Sequence, residues 1–259
     1  MKKKHFVLGG DIKKSLTEGY RLDFKSLFKD AFVITRKHYF PLITASLFTI
    51  IILAGCYHLL FGVASTLNET SKMIGNYTIT LLIAPPLLTG LQMMGVHHAV
   101  GLKTKPIYLF NYVNILLKLS LATMIISLIT NVISVLFTQT MGDLGLVLSI
   151  LVLLYLNMAF SLVYPLIAEK KLSPQMALRL SFRLVHKNLW QFTLMFILLA
   201  VLFVIALLPS GLGMFIFIPF YFNLMGIVYR QICGVSVVAT ATSDDNDNDD
   251  DSLSDEFEA

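Results

Sequence analysis

Residues 40–63 read FPLITASLFTIIILAGCYHLLFGV, a run of apolar side chains without a single Asp, Glu, Lys or Arg. The hydrocarbon core of a bilayer is about 30 Å thick, and roughly 20 apolar residues of helix are needed to cross it. Five further runs of this kind follow, at 78–100, 119–137, 145–168, 189–208 and 212–229. None alternates between apolar and polar residues as the strands of a transmembrane barrel do. We therefore predict an all-α, multi-pass membrane protein with six transmembrane helices.

The composition of the whole chain agrees with this prediction. Of 259 residues, 56% are hydrophobic and only 14% are charged, and the mean hydropathy is +0.75. A soluble domain has about a quarter of its residues charged. Two cysteines are too few for a disulfide framework. The first apolar run follows 39 residues of mixed charge, unlike a signal peptide, so we expect it to be a retained helix.

The positions of the cations predict the orientation of the chain. Lys and Arg residues near the ends of membrane helices are retained on the cytoplasmic side. With six spans, all of the 20 Lys and Arg residues except Lys72 fall on one side. We therefore expect both termini to face the cytoplasm. This topology accounts for the sequence pI of about 9.0, so no nucleic-acid partner is inferred.

Two segments between the apolar runs have the pattern of amphipathic helices that lie in the membrane interface. Residues 22–40 and 173–188 place apolar side chains at helical spacing and cations between them. The two segments align at an offset of 150 residues, and a weaker third copy spans 107–118. We predict three pseudo-repeated units, each an interfacial helix followed by a helical hairpin. Their cations are candidate contacts for anionic lipid: Lys25, Lys29, Arg36, Lys37, Arg179, Arg183 and Lys187.

Charge divides the chain into three parts. Residues 1–21 form a basic cytoplasmic N-terminus, and residues 22–242 form the six-helix membrane domain. Residues 243–259 hold nine of the 16 acidic residues. A block of like charge with so few apolar residues is typical of a disordered, solvated segment, here a cytoplasmic tail.

A few polar side chains fall within the apolar runs. They form a candidate intramembrane cluster, namely His58, Gln92, Asn131, Asn157 and Asn223. Buried amides commonly pair one helix with another, at about 0.6 kcal/mol each. The alternative is a substrate cavity lined by Asn131, Asn157 and Asn223. His58 either bonds to a neighbouring helix or reaches the outer interface beside Tyr57. The alternative is proton coupling, because a titratable ring at membrane depth is a functional candidate.

No set of residues predicts catalysis, a cofactor or a metal. The apolar runs contain no acids, and Cys56 and Cys233 are expected on opposite sides of the bilayer. His97 and His98 are adjacent and therefore diverge by about 100° on a helix, which disfavours a shared metal ion. The remaining interfacial histidines are expected to be amphipathic anchors. We therefore expect a protein that is not an enzyme.

The chain resembles a group of bacterial six-helix inner-membrane proteins, the YciC-like proteins, and is similar to the membrane domain of some glycerophosphodiester phosphodiesterases. The resemblance rests on Glu169, Lys170, Pro174, Ala177, Leu178, Ser181, Phe182, Lys187, Asn188, Trp190, Gly211, Gly213, Pro219, Tyr229 and Arg230. It implies a location in the bacterial cytoplasmic membrane and the same plan of interfacial helix and hairpin. It transfers no catalytic residue.

The basic amphipathic segments favour one function over its alternatives. We expect a non-enzymatic integral inner-membrane protein that organises membrane lipid or partner proteins, with anionic lipids of the bilayer as its first partners. The alternative is a small-solute or lipid transporter. Repeated hairpins, prolines in the even-numbered runs and buried amides are its basis.

Overall fold

The computed structural model describes residues 3–63 and 68–240 of the chain. The acidic segment 243–259 and the first two residues of the basic N-terminus lie outside the described residues. The described part is almost entirely helical. Its α-helices are α1 (Ile12–Thr17), α2 (Phe24–Lys37), α3 (Tyr39–His58), α4 (Glu69–Thr78), α5 (Ala84–Ala99), α6 (Leu116–Ala159), α7 (Val163–Glu169), α8 (Pro174–Lys187), α9 (Leu189–Leu207) and α10 (Met214–Cys233).

Short segments of other helix types extend or connect these helices. Leu59–Val63 continues α3 as a π-helix, and Ile79–Ile83 joins α4 to α5 in the same way. Pro106–Phe110 and Val113–Ile115 are 3₁₀ turns before α6. The predicted third interfacial helix at 107–118 is therefore absent, and these two turns stand in its place. The break at Asn111 and Tyr112, between the two turns, interrupts a continuous α-helix.

Within the described ranges, five helical stretches are long and apolar enough to cross a membrane. They are Tyr39–Gly62, Glu69–Ala99, Pro106–Glu169, Leu189–Leu207 and Met214–Cys233. The chain is thus a multi-pass membrane protein by the length and composition of its helices. The stretches Glu69–Ala99 and Met214–Cys233 are the most buried, and their helices α5 and α10 form the centre of the bundle.

The longest of these stretches turns back on itself at Gly142. Gly142 has φ 55° and ψ −125°, which is not a helical conformation. The Ser149 hydroxyl donates to the Ser134 carbonyl oxygen at 3.3 Å. Residues 15 positions apart in a straight helix would be separated by about 22 Å. Helix α6 therefore consists of two antiparallel arms, and glycine supplies the positive φ at the turn.

Two strands, which the sequence did not predict, connect the ends of the described chain. Strand β1 (Lys3–Leu8) pairs antiparallel with β2 (Val235–Thr240), with Leu8 opposite Val235 and Lys3 opposite Thr240. The strand β2 is rich in β-branched residues, which favour extended structure. The pairing places the segment before α1 beside the segment after α10.

The helices α2 and α8 are similar in length and in the positions of their buried residues. Each has 14 residues, and their bounds differ by 150. Leu27, Ala31 and Thr35 are buried on α2, and the residues 150 positions later, Ala177, Ser181 and Val185, are buried on α8. Both helices keep other apolar side chains exposed beside their cations, such as Phe32 on α2 and Met176 on α8.

The hydrophobic core lies toward one end of the bundle. Residues from the end of α5, both ends of α6, the start of α9 and the end of α10 form this core. Phe192 and Tyr229 are among its largest buried side chains. The opposite halves of α3, α6 and α9 leave large apolar side chains exposed, as lipid-facing helices do. The buried end is also the end that carries α2, α8 and their cations.

Helices α5 and α10 touch through their backbones at one pair of glycines. A Cβ on Gly95 would overlap the Phe222 carbonyl oxygen, and a Cβ on Gly226 would overlap the Gly95 carbonyl oxygen. Glycine at both positions therefore permits a contact that no other residue allows, as in small-residue crossings of membrane helices.

We expect Gly95→Ala and Gly226→Ala each to destabilise the protein by about 1–3 kcal/mol, because the helices must move apart. Unfolding in detergent, followed by circular dichroism, measures this. Gly55→Ala is the matched control, since a Cβ at Gly55 in α3 meets nothing within 4 Å. Equal unfolding midpoints for the three variants would contradict the crossing.

Candidate functional site

A chain of hydrogen bonds between buried polar side chains runs from α2 to the loop after α5. The His98 Nδ1 and Asn223 Oδ1 atoms are 2.8 Å apart, and the Asn223 amide donates to the Thr35 hydroxyl at 3.0 Å. On its other side, His98 Nε2 lies 2.7 Å from the Thr104 hydroxyl. All four side chains are buried. This network ties together three helices and a loop at the basic end of the bundle.

The geometry fixes the tautomer of a neutral His98. With the Asn223 amide nitrogen turned to Thr35, the oxygen Oδ1 faces the ring and can only accept. The proton of neutral His98 is therefore on Nδ1, and Nε2 accepts from the Thr104 hydroxyl. Every hydrogen-bonding atom of this ring is then satisfied within the protein.

The glycine crossing positions this network. His98 follows Gly95 by three residues on α5, and Asn223 precedes Gly226 by three residues on α10. Residues three apart lie on the same face of a helix. The two helices run in the same direction, since Gly95 contacts Phe222 and Arg230 bonds to Ala99. The His98 side chain reaches back from one turn after Gly95 to Asn223.

His38 stacks on the ring of His98. The ring centroids are 4.4 Å apart and the planes differ by 17°. His38 is the residue that ends α2, and it is 6% exposed. Burial lowers the pKa of His38 below its ordinary value, and the positive charges of Lys37 and Lys103 lower it further. His38 is therefore neutral at pH 7.

A pocket of about 660 Å³ opens beside the two stacked rings. Its polar lining comes from five residues with polar side chains and from the loop between β1 and α1, namely Lys37, His38, His98, Arg230, Gln231, Gly9 and Gly10. Arg230 donates through Nη1 to the Ala99 carbonyl oxygen, and its own carbonyl oxygen accepts from the Gly10 N–H at 2.9 Å. The pocket thus lies between the ends of α2, α5 and α10.

A second buried cluster joins the end of α7 to β2. The Tyr229 hydroxyl donates to Glu169 Oε2 at 2.8 Å, and Oε1 of the same carboxylate accepts from the Ser236 N–H and lies 3.0 Å from Lys170 Nζ. The Glu169 side chain is 8% exposed. These bonds satisfy the carboxylate and secure the chain after α10, so the cluster has a structural explanation.

The predicted intramembrane amides have different surroundings. Asn131 and Asn157 each donate to a carbonyl oxygen one turn earlier in their own helix, and both side chains are exposed. Asn223 bonds to α2 and α5. The hydrogen bonds of the three asparagines therefore do not form the predicted cavity.

The other two members of the predicted cluster also lie apart from Asn223's network. His58 is exposed at the end of α3 beside Gly62. The Gln92 Oε1 atom is buried without a hydrogen-bond partner among the described residues. Thr35, Thr104 and the His38 stack were not predicted as site residues, because sequence patterns give no signal for such contacts between helices.

The predicted lipid contacts are all at the surface. Lys25, Lys29, Arg36 and Lys37 on α2, and Arg179, Arg183 and Lys187 on α8, are exposed. In the described ranges none of the seven forms an ion pair. Lys187 differs from the others, because its ammonium donates to the Thr17 carbonyl oxygen at 3.2 Å.

Metal binding has no ready site in the part of the chain that the structure describes. No three His, Cys, Asp or Glu side chains are grouped there so as to hold an ion. Cys56 and Cys233 are both free thiols.

Comparison with known proteins adds no relative. No protein-family model, curated protein or solved structure matches the chain. The resemblance to YciC-like proteins therefore stays a prediction from the sequence.

We expect Asn223→Leu to lower the free energy of unfolding by about 1–3 kcal/mol, because it leaves buried His98 and Thr35 without their partner. Thermal unfolding in detergent measures the loss. Asn157→Leu is the matched control, since Asn157 is exposed and bonds only to its own helix. A loss of equal size in both variants would show that the network is not what stabilises this region.

We expect stability to fall as the pH drops through the ordinary histidine range. Because the pKa of His38 is lower in the folded protein, the unfolded chain takes up protons first as the pH falls below about 6.5. The stabilisation is fully present above that pH and decreases below it. Unfolding midpoints at pH 7.5 and 5.5 measure the change, which should be smaller in His38→Gln. An identical pH dependence in that variant would contradict the role of His38.

Proposed function

We propose that this protein is a non-enzymatic membrane protein that binds anionic lipid at the basic end of its helix bundle and thereby organises lipid or partner proteins. The observation that carries the proposal is the surface of α2 and α8. Each helix exposes cations without ion pairs beside exposed apolar side chains, such as Phe32 and Phe182. Such a surface suits the boundary between anionic headgroups and acyl chains.

The proposed topology has six spans, with the two arms of α6 crossing the bilayer separately. Two observations support it. Helix α6 reverses direction at Gly142, and β1 pairs with β2. Strands before the first span and after the last can pair only on one side of the membrane, which requires an even number of crossings.

The proposed location is the bacterial cytoplasmic membrane, with both termini in the cytoplasm. The distribution of cations supports this orientation, because Lys72 alone falls on the other side. The resemblance to YciC-like proteins supports the choice of membrane. We also propose that the pseudo-repeat includes a third, degenerate unit around the 3₁₀ turns before α6.

A transporter is the alternative function, and its support is weaker. It draws on the repeated hairpins and on buried Gln92, whose Oε1 has no hydrogen-bond partner among the described residues. Its proposed cavity needs Asn131 and Asn157 to face the interior beside Asn223. Both are exposed instead, and both bond to their own helices.

Removing surface cations tests the lipid-binding proposal. We expect the variant with Lys25, Lys29, Arg36, Arg179 and Arg183 all changed to Gln to lose its preference for phosphatidylglycerol over phosphatidylcholine. Each surface cation contributes roughly 1 kcal/mol toward anionic lipid. Native mass spectrometry of protein released from mixed-lipid nanodiscs counts the retained lipids.

Lys72→Gln is the control, because Lys72 is assigned to the other side and pairs with Glu69 at 3.1 Å. It should retain the lipids of the unmodified protein. If the five-fold variant also kept an unchanged preference, the proposed function would be wrong.

A further inference from the structure

We propose that the pocket between the ends of α2, α5 and α10 binds the phosphate group of an anionic phospholipid, through Lys37, Arg230 and His38. This inference rests on the proposed function, because it gives one lipid of the anionic surface a defined site. At about 660 Å³ the pocket is within the size range of small-molecule sites.

The charge of the pocket calls for an anion. Lys37 and Arg230 line it, and none of the described Asp or Glu residues does. Lys37 has no ion pair within the described ranges. Two cations thus line one pocket without a described carboxylate in its wall, and a phosphate would supply the missing charge.

The side of the pocket that carries Arg230 is tightly packed. The loop between β1 and α1 lies directly against the end of α10, because Cβ atoms on Gly9 and Gly10 would overlap the carbonyl oxygens of Arg230 and Gln231. Gly9 also has φ 104°, which favours glycine. The bond from Arg230 to Ala99 uses one of the five N–H donors of a guanidinium and fixes its direction.

His38 provides an unused donor at the pocket. Its ring makes no hydrogen bond to the residues that the structure describes, and its nitrogens are not among the buried atoms without a partner, so they are accessible from the pocket that His38 lines. A neutral imidazole has one N–H, which a phosphate oxygen can accept. The stacked ring of His98 holds His38 against the pocket, and its own nitrogens are already bonded.

In the second copy of the repeat, the donors at the end of the helix already have acceptors. Lys187 and Asn188 are the equivalents of Lys37 and His38. There the chain covers its own helix end, since Lys187 donates to the Thr17 carbonyl oxygen and Asn188 donates to the Tyr20 carbonyl oxygen at 2.8 Å. The carbonyl oxygens of Thr17 and Tyr20 therefore accept from donors whose equivalents at α2 have no acceptor among the described residues.

The surroundings of Lys37 favour a lipid over free phosphate. A second pocket of about 450 Å³ shares Lys37 and is otherwise lined by Phe32, Val33 and Arg36. Phe32 is 60% exposed and Val33 is 56% exposed. An acyl chain lying along these two side chains would leave its phosphate beside Lys37. Free phosphate would make no use of this apolar strip.

Lipid titration of the intact protein tests the site. The probe is phosphatidylglycerol added to the full chain in neutral detergent, with native mass spectrometry recording each bound lipid. We expect one lipid to bind more tightly than the rest. Lys37→Gln and Arg230→Gln should each weaken that first binding about tenfold, the usual effect of removing a hydrogen bond to a charged group.

Lys187→Gln is the matched control, because it removes the equivalent cation from the other copy of the repeat. It should leave the first binding event unchanged. If Arg230→Gln fails to fold, Lys37→Gln decides, since Lys37 is exposed and makes no contact that the fold needs. If Lys37→Gln and Lys187→Gln weakened the first binding event equally, the proposed site would be wrong. The binding would then come from general surface charge.

Two further arms separate the lipid from other sources of the signal. Diacylglycerol has the acyl chains without phosphate and should not compete for the first site. Inorganic phosphate alone should compete only weakly, and displacement of the lipid by equimolar phosphate would overturn the lipid assignment. The five-cation variant distinguishes this site from the lipid-binding surface of α2 and α8. If that variant loses its preference for anionic lipid but keeps the first binding event, the site in the pocket is distinct from that surface.

Discussion

The backbone contact of α5 with α10 at Gly95 and Gly226 is the constraint on which the rest of this bundle depends. Membrane helices gain little from apolar contact alone, because lipid tails are as apolar as the side chains. Close backbone approach therefore has to supply the attraction through packing. Here it also sets the distance at which His98 can reach Asn223, so one crossing determines both the packing of the two central helices and their polar connection.

The uneven burial of the bundle follows from this arrangement. At the basic end, α2 and α8 cover the ends of the central helices and complete a core around Phe192 and Tyr229. At the other end the apolar faces of α3, α6 and α9 are left to the bilayer. The polar groups of the site lie at the covered end, where Thr35, His98, Thr104 and Asn223 bond to one another. The pocket is formed where the end of α2 meets the ends of α5 and α10.

The sequence predicted those parts of the fold that depend on local pattern. The apolar runs became long helices, and the amphipathic segments 22–40 and 173–188 became α2 and α8, because hydrophobic length and periodicity act within one segment. The helix predicted for the third unit was wrong, because the chain breaks at Asn111 and Tyr112 between two 3₁₀ turns. The β1–β2 pair escaped prediction because it joins residues more than 200 positions apart.

The site was predictable only in part for the same reason. Asn131, Asn157 and Asn223 have the same local context, an amide within an apolar helix. Only the crossing of α5 and α10 turns Asn223 inward, while Asn131 and Asn157 bond to their own backbones. Cations could be assigned to a membrane side by counting, because that rule needs no contacts. Which of them line a pocket depends on Gly9 and Gly10 lying against α10, a contact without a sequence signature.

The helices α2 and α8 share a plan but differ in what covers their ends. Both begin from the same plan, a 14-residue helix that ends in a lysine and a polar residue before a span. In the second copy the N-terminal segment lies across the helix end, and its carbonyl oxygens accept from Lys187 and Asn188. One N-terminal segment can cover only one such end. At the end of α2 the nearby N-terminal residues are Gly9 and Gly10. Lys37 and His38 therefore border an open pocket. Because the N-terminal segment covers the end of α8, the end of α2 stays open. There a ligand can replace the backbone carbonyl oxygens that accept hydrogen bonds at α8.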